Sequence, residues 1–245
     1  MRWHQLSGKC VASAITLGRV FDAAIMPQRC VFCGTASEPG EVYCCCGCAA
    51  ELPWVENRCA RCAIPVATPL RDGVDCANCQ QCPPPFIAAA TPLRYTFPID
   101  AAIKAMKFRR RLYYVPAFSP MLMKTMACLP KDVDALLAVP LHWRRHATRG
   151  FNQAVELCKP LQKLTGLPML ANVKRIRSTP YQSGLDADER RRNLRAAFAI
   201  QGSVIARHVL IVDDVITTGE TCRQLANVVL AAGAQKVSVL AIARA

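Results

Sequence analysis

At 245 residues the chain can hold one large or two small domains with a substantial buried core. Its 52% hydrophobic content and mean hydropathy of +0.17 mark a globular chain, and no run approaches the ~18 apolar residues of a membrane-spanning helix. Lys and Arg number 31 against 17 Asp and Glu, a net charge of +14 that suits a polyanionic partner, whether a phosphorylated substrate or nucleic acid, without establishing either.

In chain order, Arg2 and Lys9 precede the apolar stretch 10–17, which has the flavour of an export signal. Arg19 and Asp22 interrupt it and no small-residue cleavage site follows, so the expectation is a short amphipathic helix within 1–28, carried by Val11, Ala14, Ile15, Phe21 and Ile25 and stopped before Pro27.

Most of the 15 cysteines then fall between Cys30 and Cys82. Four CxxC pairs can be drawn: Cys30/Cys33, Cys45/Cys48, Cys59/Cys62 and Cys76/Cys79. Each is a tight knuckle that aims two thiolates at one point, and two knuckles complete a tetrahedral zinc site, so eight ligands predict two structural zinc ions. The simplest pairing joins the first two knuckles and the last two, with interleaving open. Cys44 or Cys46 could stand in for Cys45, and a Cys79/Cys82 pair could replace Cys76/Cys79. Disulfides and a redox thiol pair are the competing readings. Clustered ligand spacing points instead to a reducing, cytoplasmic compartment. Metal would hold together a segment too small and loop-rich to fold unaided.

Pro83-Pro84-Pro85 is a stiff boundary. Beyond it 88–95 reads as one strand, and Asp100 opens a helix through Ile103 and Met106 that ends in Phe108-Arg109-Arg110-Arg111. The cations of 104–111 are either a solvated face helped by the helix C-terminus or an anion-binding ridge with Phe108 for stacking. A second apolar strand, 135–139, ends at Pro140. The basic segment Leu141-His142-Trp143-Arg144-Arg145-His146 and then Arg149-Gly150-Phe151-Asn152-Gln153 precede a helical pattern through Leu157 and Leu161, which Pro160 is expected to kink or divide. The two histidines are as compatible with simple exposure as with a role at phosphate. A long polar segment, 174–195, carries Lys174, Arg175, Arg177 and Arg190-Arg191-Arg192. It is longer than an ordinary connection, and a solvated basic helix is the plain alternative.

The most informative stretch is 208–221. Val209-Leu210-Ile211-Val212 reads as a strand buried on both faces, hence part of a parallel sheet. Asp213 and Asp214 follow at its carboxyl end, where open α/β sheets place ligands. Val215, Ile216, Thr217, Thr218, Gly219, Glu220 and Thr221 then lead into a helix through Cys222, Leu225, Ala226 and Val229, ended by Gly233. Acids suit neighbouring hydroxyls, and the Thr/Gly turn suits a phosphate at a helix start. A Walker B strand would need a GKT or GKS loop upstream, which is missing; a receiver-type acid pocket leaves the threonines unexplained. A last apolar strand spans 237–243.

The 209–221 stretch closely resembles the phosphoribosyl diphosphate (PRPP) signature of type I phosphoribosyltransferases. That resemblance implies Asp213 and Asp214 as catalytic residues, and Val215 to Thr221 as the PRPP loop with Mg²⁺. It also implies that Leu141, His142 and Arg149 lie at the diphosphate, with the 174–195 segment as the loop that covers substrate. The paired knuckles, Cys76-x2-Cys79-x3-Pro83-Pro84-Pro85, Lys107-Phe108, Pro140-Leu141, Arg149-Gly150-Phe151-Asn152-Gln153, Thr179-Pro180-x-Gln182 and Arg192-Asn193 extend the likeness, and the chain resembles the ComF family of competence proteins. The fold implied is α/β: a type I phosphoribosyltransferase-like parallel sheet flanked by helices over 87–245, preceded by a zinc-ribbon-like domain over 29–86 and the helix of 1–28. The function implied is handling of DNA during uptake or nutritional use, with PRPP, single-stranded DNA and a DNA-uptake helicase as partners. The alternative is an active phosphoribosyltransferase that releases pyrophosphate on an unidentified acceptor.

Overall fold

The computed structural model describes residues 29–36, 43–71, 74–142, 147–176 and 197–245. The expected helix of 1–28 and most of the basic segment, 177–196, lie outside the described residues, as do Trp143, Arg144, Arg145 and His146. In chain order the elements are α1 (Cys46–Glu51), α2 (Ala77–Gln81), β1 (Ala88–Ala90), β2 (Leu93–Arg94), α3 (Ile99–Arg109), α4 (Tyr114–Met126) and β3 (Ala135–Ala138). After these come α5 (Gln153–Thr165), β4 (Val173–Arg175), β5 (Phe198–Ile200), β6 (His208–Ile216), α6 (Glu220–Ala231) and β7 (Lys236–Arg244).

The chain is α/β, with a parallel sheet in the order β1-β7-β6-β3 and β2 also on β7. Strands β6 and β7 are its apolar centre. Val209 to Val212 and Val237 to Ala243 are almost fully buried, which requires cover on both faces. Helices α4 and α5 pack on each other and against β7, β6 and β3, while α6 packs on β5, β6 and β7. Leu157 and Leu161 of α5 and Leu225 and Val229 of α6 are fully buried, at helical spacing, each contributing about 1.5–3 kcal/mol by leaving water. Strands β4 and β5 form a separate antiparallel pair.

Two expectations are corrected here. The single strand expected over 88–95 is two, β1 and β2, because Pro92 between them has no N–H for the ladder. The Pro92 carbonyl is taken by Val55 N at 2.9 Å, and Trp54 bridges Leu93 in antiparallel fashion, so the cysteine-rich segment runs along the outer side of β2. Pro160 does not divide α5, which is continuous from Gln153 to Thr165 between an Asn152 cap and a left-handed Gly166. Pro160 and Glu156, whose carbonyl loses its usual donor, are both only half-buried, so water can serve that carbonyl.

At the amino ends of β6 and β7 a polar network fixes their register. His208 Nδ1 lies 2.7 Å from Asp132 Oδ1 and its Nε2 lies 2.9 Å from Ser238 Oγ, and Lys236 Nζ reaches Asp132 Oδ2 at 2.7 Å. Lys236 first, and then His208, hold the Asp132 carboxyl down at about 2. A carboxyl lowered in the folded state stabilises above its unfolded value near 4, and that contribution is lost as pH falls towards 2. Asp132→Asn should therefore narrow its stability gap to the parent as pH drops from 6 to 3, measured as urea midpoints; a gap that stays constant would show that the network does not sense acid.

Candidate functional site

The cysteine-rich segment builds the same unit twice. In the first, the turn Cys30 to Cys33 closes through Gly34 N on Cys30 O and Cys30 N on Thr35 O, both 2.9 Å, with Gly34 at φ +77°. In the second, Ala63 N meets Cys59 O at 2.9 Å and Cys59 N meets Ile64 O at 3.0 Å, with Ala63 at φ +60°. Short antiparallel bridges, Arg29 to Ala36 and Arg58 to Pro65, brace the two turns. The remaining thiols come from helix starts. Cys45 is the N-cap of α1 with Cys48 in its first turn, and Cys76 is the N-cap of α2 with Cys79 in its own.

The structure thus brings together Cys30, Cys33, Cys45 and Cys48 in one group and Cys59, Cys62, Cys76 and Cys79 in another, the Sγ atoms of each within 4.8 Å of one another. Sγ pairs at 3.7 Å, Cys33 with Cys45 and Cys62 with Cys76, compare with about 3.8 Å for a tetrahedron of ~2.3 Å zinc–sulfur bonds. Burial, and after it the neighbouring thiols, push the proton affinity of Cys48 and Cys79 upward. A divalent cation relieves that crowding, and both groups could hold zinc. Cys44, Cys46 and Cys82 stand outside them. Protein purified with its metal should carry two zinc ions per chain by elemental analysis, and Cys79→Ser should leave one. Cys46→Ser and Cys82→Ser should keep both; a metal lost with Cys82 would redraw the second group.

The acid pair sits where β6 ends, but the strand is longer than its apolar run. Pairing with β7 continues through Asp213, Val215 and Ile216, so Val215 and Ile216 belong to the strand and the open loop begins at Thr217. Thr217 and Thr218 are exposed, and Gly219, at φ +78°, caps α6 in a left-handed conformation. Glu220, in the first turn of α6, accepts from Gln224 Nε2 at 2.7 Å. Asp214 is buried at 7% exposure, and its Oδ1 lies 2.7 Å from Lys107 Nζ of α3. Asp213 keeps some exposure, yet burial, followed by the charge of Asp214, raises its carboxyl to about 7 against the pull of Lys107 and Arg175.

The neighbouring strand supplies a second loop. Val139 N donates to Val212 O at 3.0 Å, so Leu141 and His142 leave the sheet beside the acids; His142 is buried and bridges Arg175. Asn152 ties this loop down, donating Nδ2 to Val139 O at 2.9 Å while Oδ1 accepts from Ala154 N at 3.0 Å. The loop interlocks with the end of α3. The Arg149 guanidinium lies 5.1 Å from the Phe108 ring centre and that of Arg110 5.8 Å from Phe151. Gly150 is at φ +76°, and a Cβ there would lie 2.8 Å from Arg110 Nη2. Phe108 is 69% exposed, whereas Phe151 is buried and offers no free ring face. Arg149 Nη1 donates to Gln153 Oε1 at 3.4 Å, and the buried Gln153 Nε2 has no partner among the described residues.

Periodicity did not reveal Lys107 as the counter-ion of Asp214, nor Gln153. The signal for Lys107 was its place on the buried-face turn after Ile103 and Met106. Arg244, the one cation near the end of an otherwise apolar strand, was also visible and passed over.

No family model matches the chain. Among curated proteins it is 34% identical to the DNA utilization protein YhgH of Salmonella typhimurium over 206 residues, covering 82% of this chain and 89% of that protein. It is 33% identical to the protein of the same name from Escherichia coli K12 over 225 residues, 89% and 98% of the two chains. The Competence protein F of Haemophilus influenzae matches at 31% over 179 residues, 69% and 78%. The chain belongs to the ComF family. For this ComF-family chain, among the described residues, no helix is long and apolar enough to cross a membrane.

The acid pair gives a pH signature. An acid raised in the folded state binds more protons than in the unfolded chain between about pH 4 and 7, so folded stability falls as pH rises through that window. Asp213→Asn keeps an acceptor for the Asp214 N–H, now 2.8 Å from Asp213 Oδ1. Its stability relative to the parent should climb from pH 5 to pH 8 and then level, by thermal or urea unfolding; a flat difference would mean that Asp213 titrates normally.

Proposed function

We propose that this ComF-family chain serves DNA uptake or DNA utilisation, using a PRPP pocket on β6 and α6 beside a basic surface that takes single-stranded DNA. The observation that carries the reading is the conjunction at one sheet edge: Asp213 and Asp214 near the carboxyl end of a buried strand, the exposed Thr217 and Thr218 ahead of the Gly219 cap of α6, and the Arg149 to Gln153 loop after the adjacent strand. On this reading the body is type I phosphoribosyltransferase-like and 29–86 is its zinc-ribbon-like head. The names of the relatives supply the DNA context.

Each residue then has a task. Asp213 and Asp214 accept the ribose hydroxyls, which compete with Lys107 for Asp214. Thr217, Thr218 and Thr221, with the first amides of α6, hold the 5-phosphate. Arg149 and Gln153 Nε2, which has no partner among the described residues, face the diphosphate. Mg²⁺ bound with PRPP would offset the diphosphate charge. The basic surface is the exposed Arg109, Arg110 and Arg111 with Phe108 as a stacking ring. Cysteine pairs spaced for zinc rather than for disulfides support a reducing, cytoplasmic setting.

The second reading, an active transferase, is favoured by the place of Asp213, partly exposed near the carboxyl end of β6, where burial and the charge of Asp214 raise its carboxyl towards the range of a proton carrier.

Calorimetry with PRPP and Mg²⁺ tests the pocket. Charge-assisted hydrogen bonds are each worth roughly 1.5–3 kcal/mol, so Asp214→Asn should weaken binding about tenfold or more. Unaltered affinity would place the pocket elsewhere. For DNA, fluorescence anisotropy with mixed-sequence oligonucleotides should give log affinity falling linearly with log salt, at about −0.7 per phosphate neutralised. Arg109→Ala with Arg111→Ala should make that slope shallower while leaving PRPP affinity within about twofold. Arg110 is left intact because it packs on Gly150 and Phe151. PRPP binding with pyrophosphate release, and no DNA binding at ~50 mM salt, would favour the transferase alone.

A further inference from the structure

Two arginines join the second cysteine group to the loop that opens α6. Arg244 ends β7 with its backbone in register with Ile216, the last residue of β6. Its side chain is buried, and Nε donates to the Cys62 carbonyl at 3.3 Å. Nη1 donates to Ile216 O at 3.0 Å and also meets the carbonyls of Thr217 and Ala245. On the far side of the loop, Arg223 of α6 donates Nη1 to Pro83 O at 3.1 Å and Nη2 to Cys82 O at 3.2 Å. Cys82 is the C-cap of α2, the helix that carries Cys79. The first cysteine group packs elsewhere, through Phe32 against Tyr114 and Phe118 of α4.

Two physical arguments give this arrangement a consequence. In a trans peptide the N–H points opposite the C=O. Drawing the Ile216 and Thr217 carbonyls onto Arg244 therefore turns the amides of Thr217 and Thr218 away from it, the orientation a phosphate needs. The second argument is charge. Four thiolates around one zinc leave a net charge of −2, and a buried guanidinium beside Cys62 is the natural counter-ion. Without metal the turn that carries the Cys62 carbonyl loses its tie to Cys76 and Cys79, and Arg244 Nε loses a fixed partner.

We infer that Arg244 is a positioning residue that couples metal occupancy of the second cysteine group to the conformation of the phosphate-binding loop. The coupling rests on the PRPP reading for its ligand, though not for the loop itself. Linkage makes it reciprocal: a ligand held by the loop tightens metal binding at the second group.

The test uses the full chain. Metal content, hydrogen exchange over 215–224, and affinity for ribose 5-phosphate and PRPP with Mg²⁺ are measured in Cys79→Ser, Cys45→Ser, Arg244→Lys and Arg223→Met. Cys79→Ser should speed exchange over 215–224 about tenfold and weaken both ligands by a similar factor, whereas Cys45→Ser should leave both within about twofold. Arg244→Lys should keep two metals yet show the same loop exchange, and adding Cys79→Ser to it should change the loop no further. Arg223 is partly exposed, so Arg223→Met tests the link even if Arg244→Lys folds poorly; it should give a smaller shift of the same sign. In the parent chain, ribose 5-phosphate should raise zinc affinity at one site in chelator competition and leave the other unchanged. Equal loop exchange in the two cysteine variants, or no change in both arginine variants, overturns the inference. If the parent chain itself does not bind PRPP, the functional reading fails instead, and the exchange data still decide the coupling.

Discussion

Two adjacent carboxylates at the end of a buried strand cannot both be charged unless cations are brought to them, and much of the molecule answers that constraint. At 2.7 Å Lys107 neutralises Asp214, while burial and the charge of Asp214 raise the carboxyl of Asp213, next in the chain, against the weaker pull of Lys107 and Arg175. Meeting Asp214 requires α3 to bring its C-terminal turn to the carboxyl edge of the sheet. With Lys107 come Phe108 and the three arginines that follow it in the chain. Arg110 then wedges against Gly150 and Phe151, so the geometry that satisfies one buried charge also fixes the loop on the neighbouring strand. An acid pair, a basic ridge and a helix N-terminus are one assembly with a shared electrostatic cause.

The cysteine-rich segment follows a different logic. It buries few large apolar side chains, and its two helices, α1 and α2, are too short to be stable alone. What it has is geometry: a knuckle closed by two backbone hydrogen bonds and a helix whose N-cap is itself a thiol. The unit occurs twice with different residues at the tight position, Gly34 in one and Ala63 in the other. A left-handed alanine costs roughly 1–2 kcal/mol, which the full burial of Ala63 against the core helps to offset. Both cysteine groups could hold zinc, and metal ligation would give such a segment the cohesion its small core does not.

How much was legible in the sequence follows from the range of the interactions involved. Strand β6 and helix α6, with Gly233 just past its end, could be read because periodicity and helix stop signals are local. The knuckles could be paired by proximity, and the ambiguity among Cys44, Cys45 and Cys46 was resolved only by which one caps α1. The reading failed where contacts cross the chain. The pairing of Lys107 with Asp214 spans a hundred positions and leaves no periodic trace. The break between β1 and β2 was signalled by Pro92, but an alternation rule that counts only apolar residues passes over it. The ring of Phe151 is buried with the Arg110 guanidinium beside it, a contact set by tertiary packing rather than by composition.

The way Pro53, Trp54 and Val55 lie along β2 has a bearing on how this protein fails. An uncovered edge of a parallel apolar sheet offers unpaired amides and carbonyls that recruit another chain. Here that edge is occupied by Val55 N on Pro92 O, Arg94 N on Pro53 O and the bridge from Trp54 to Leu93, all supplied by the segment that joins the two cysteine units. The head therefore also serves as a guard strip for the sheet. Anything that loosens this strip would expose β1 and β2 to self-association, with colloidal loss preceding any unfolding of the sheet's core.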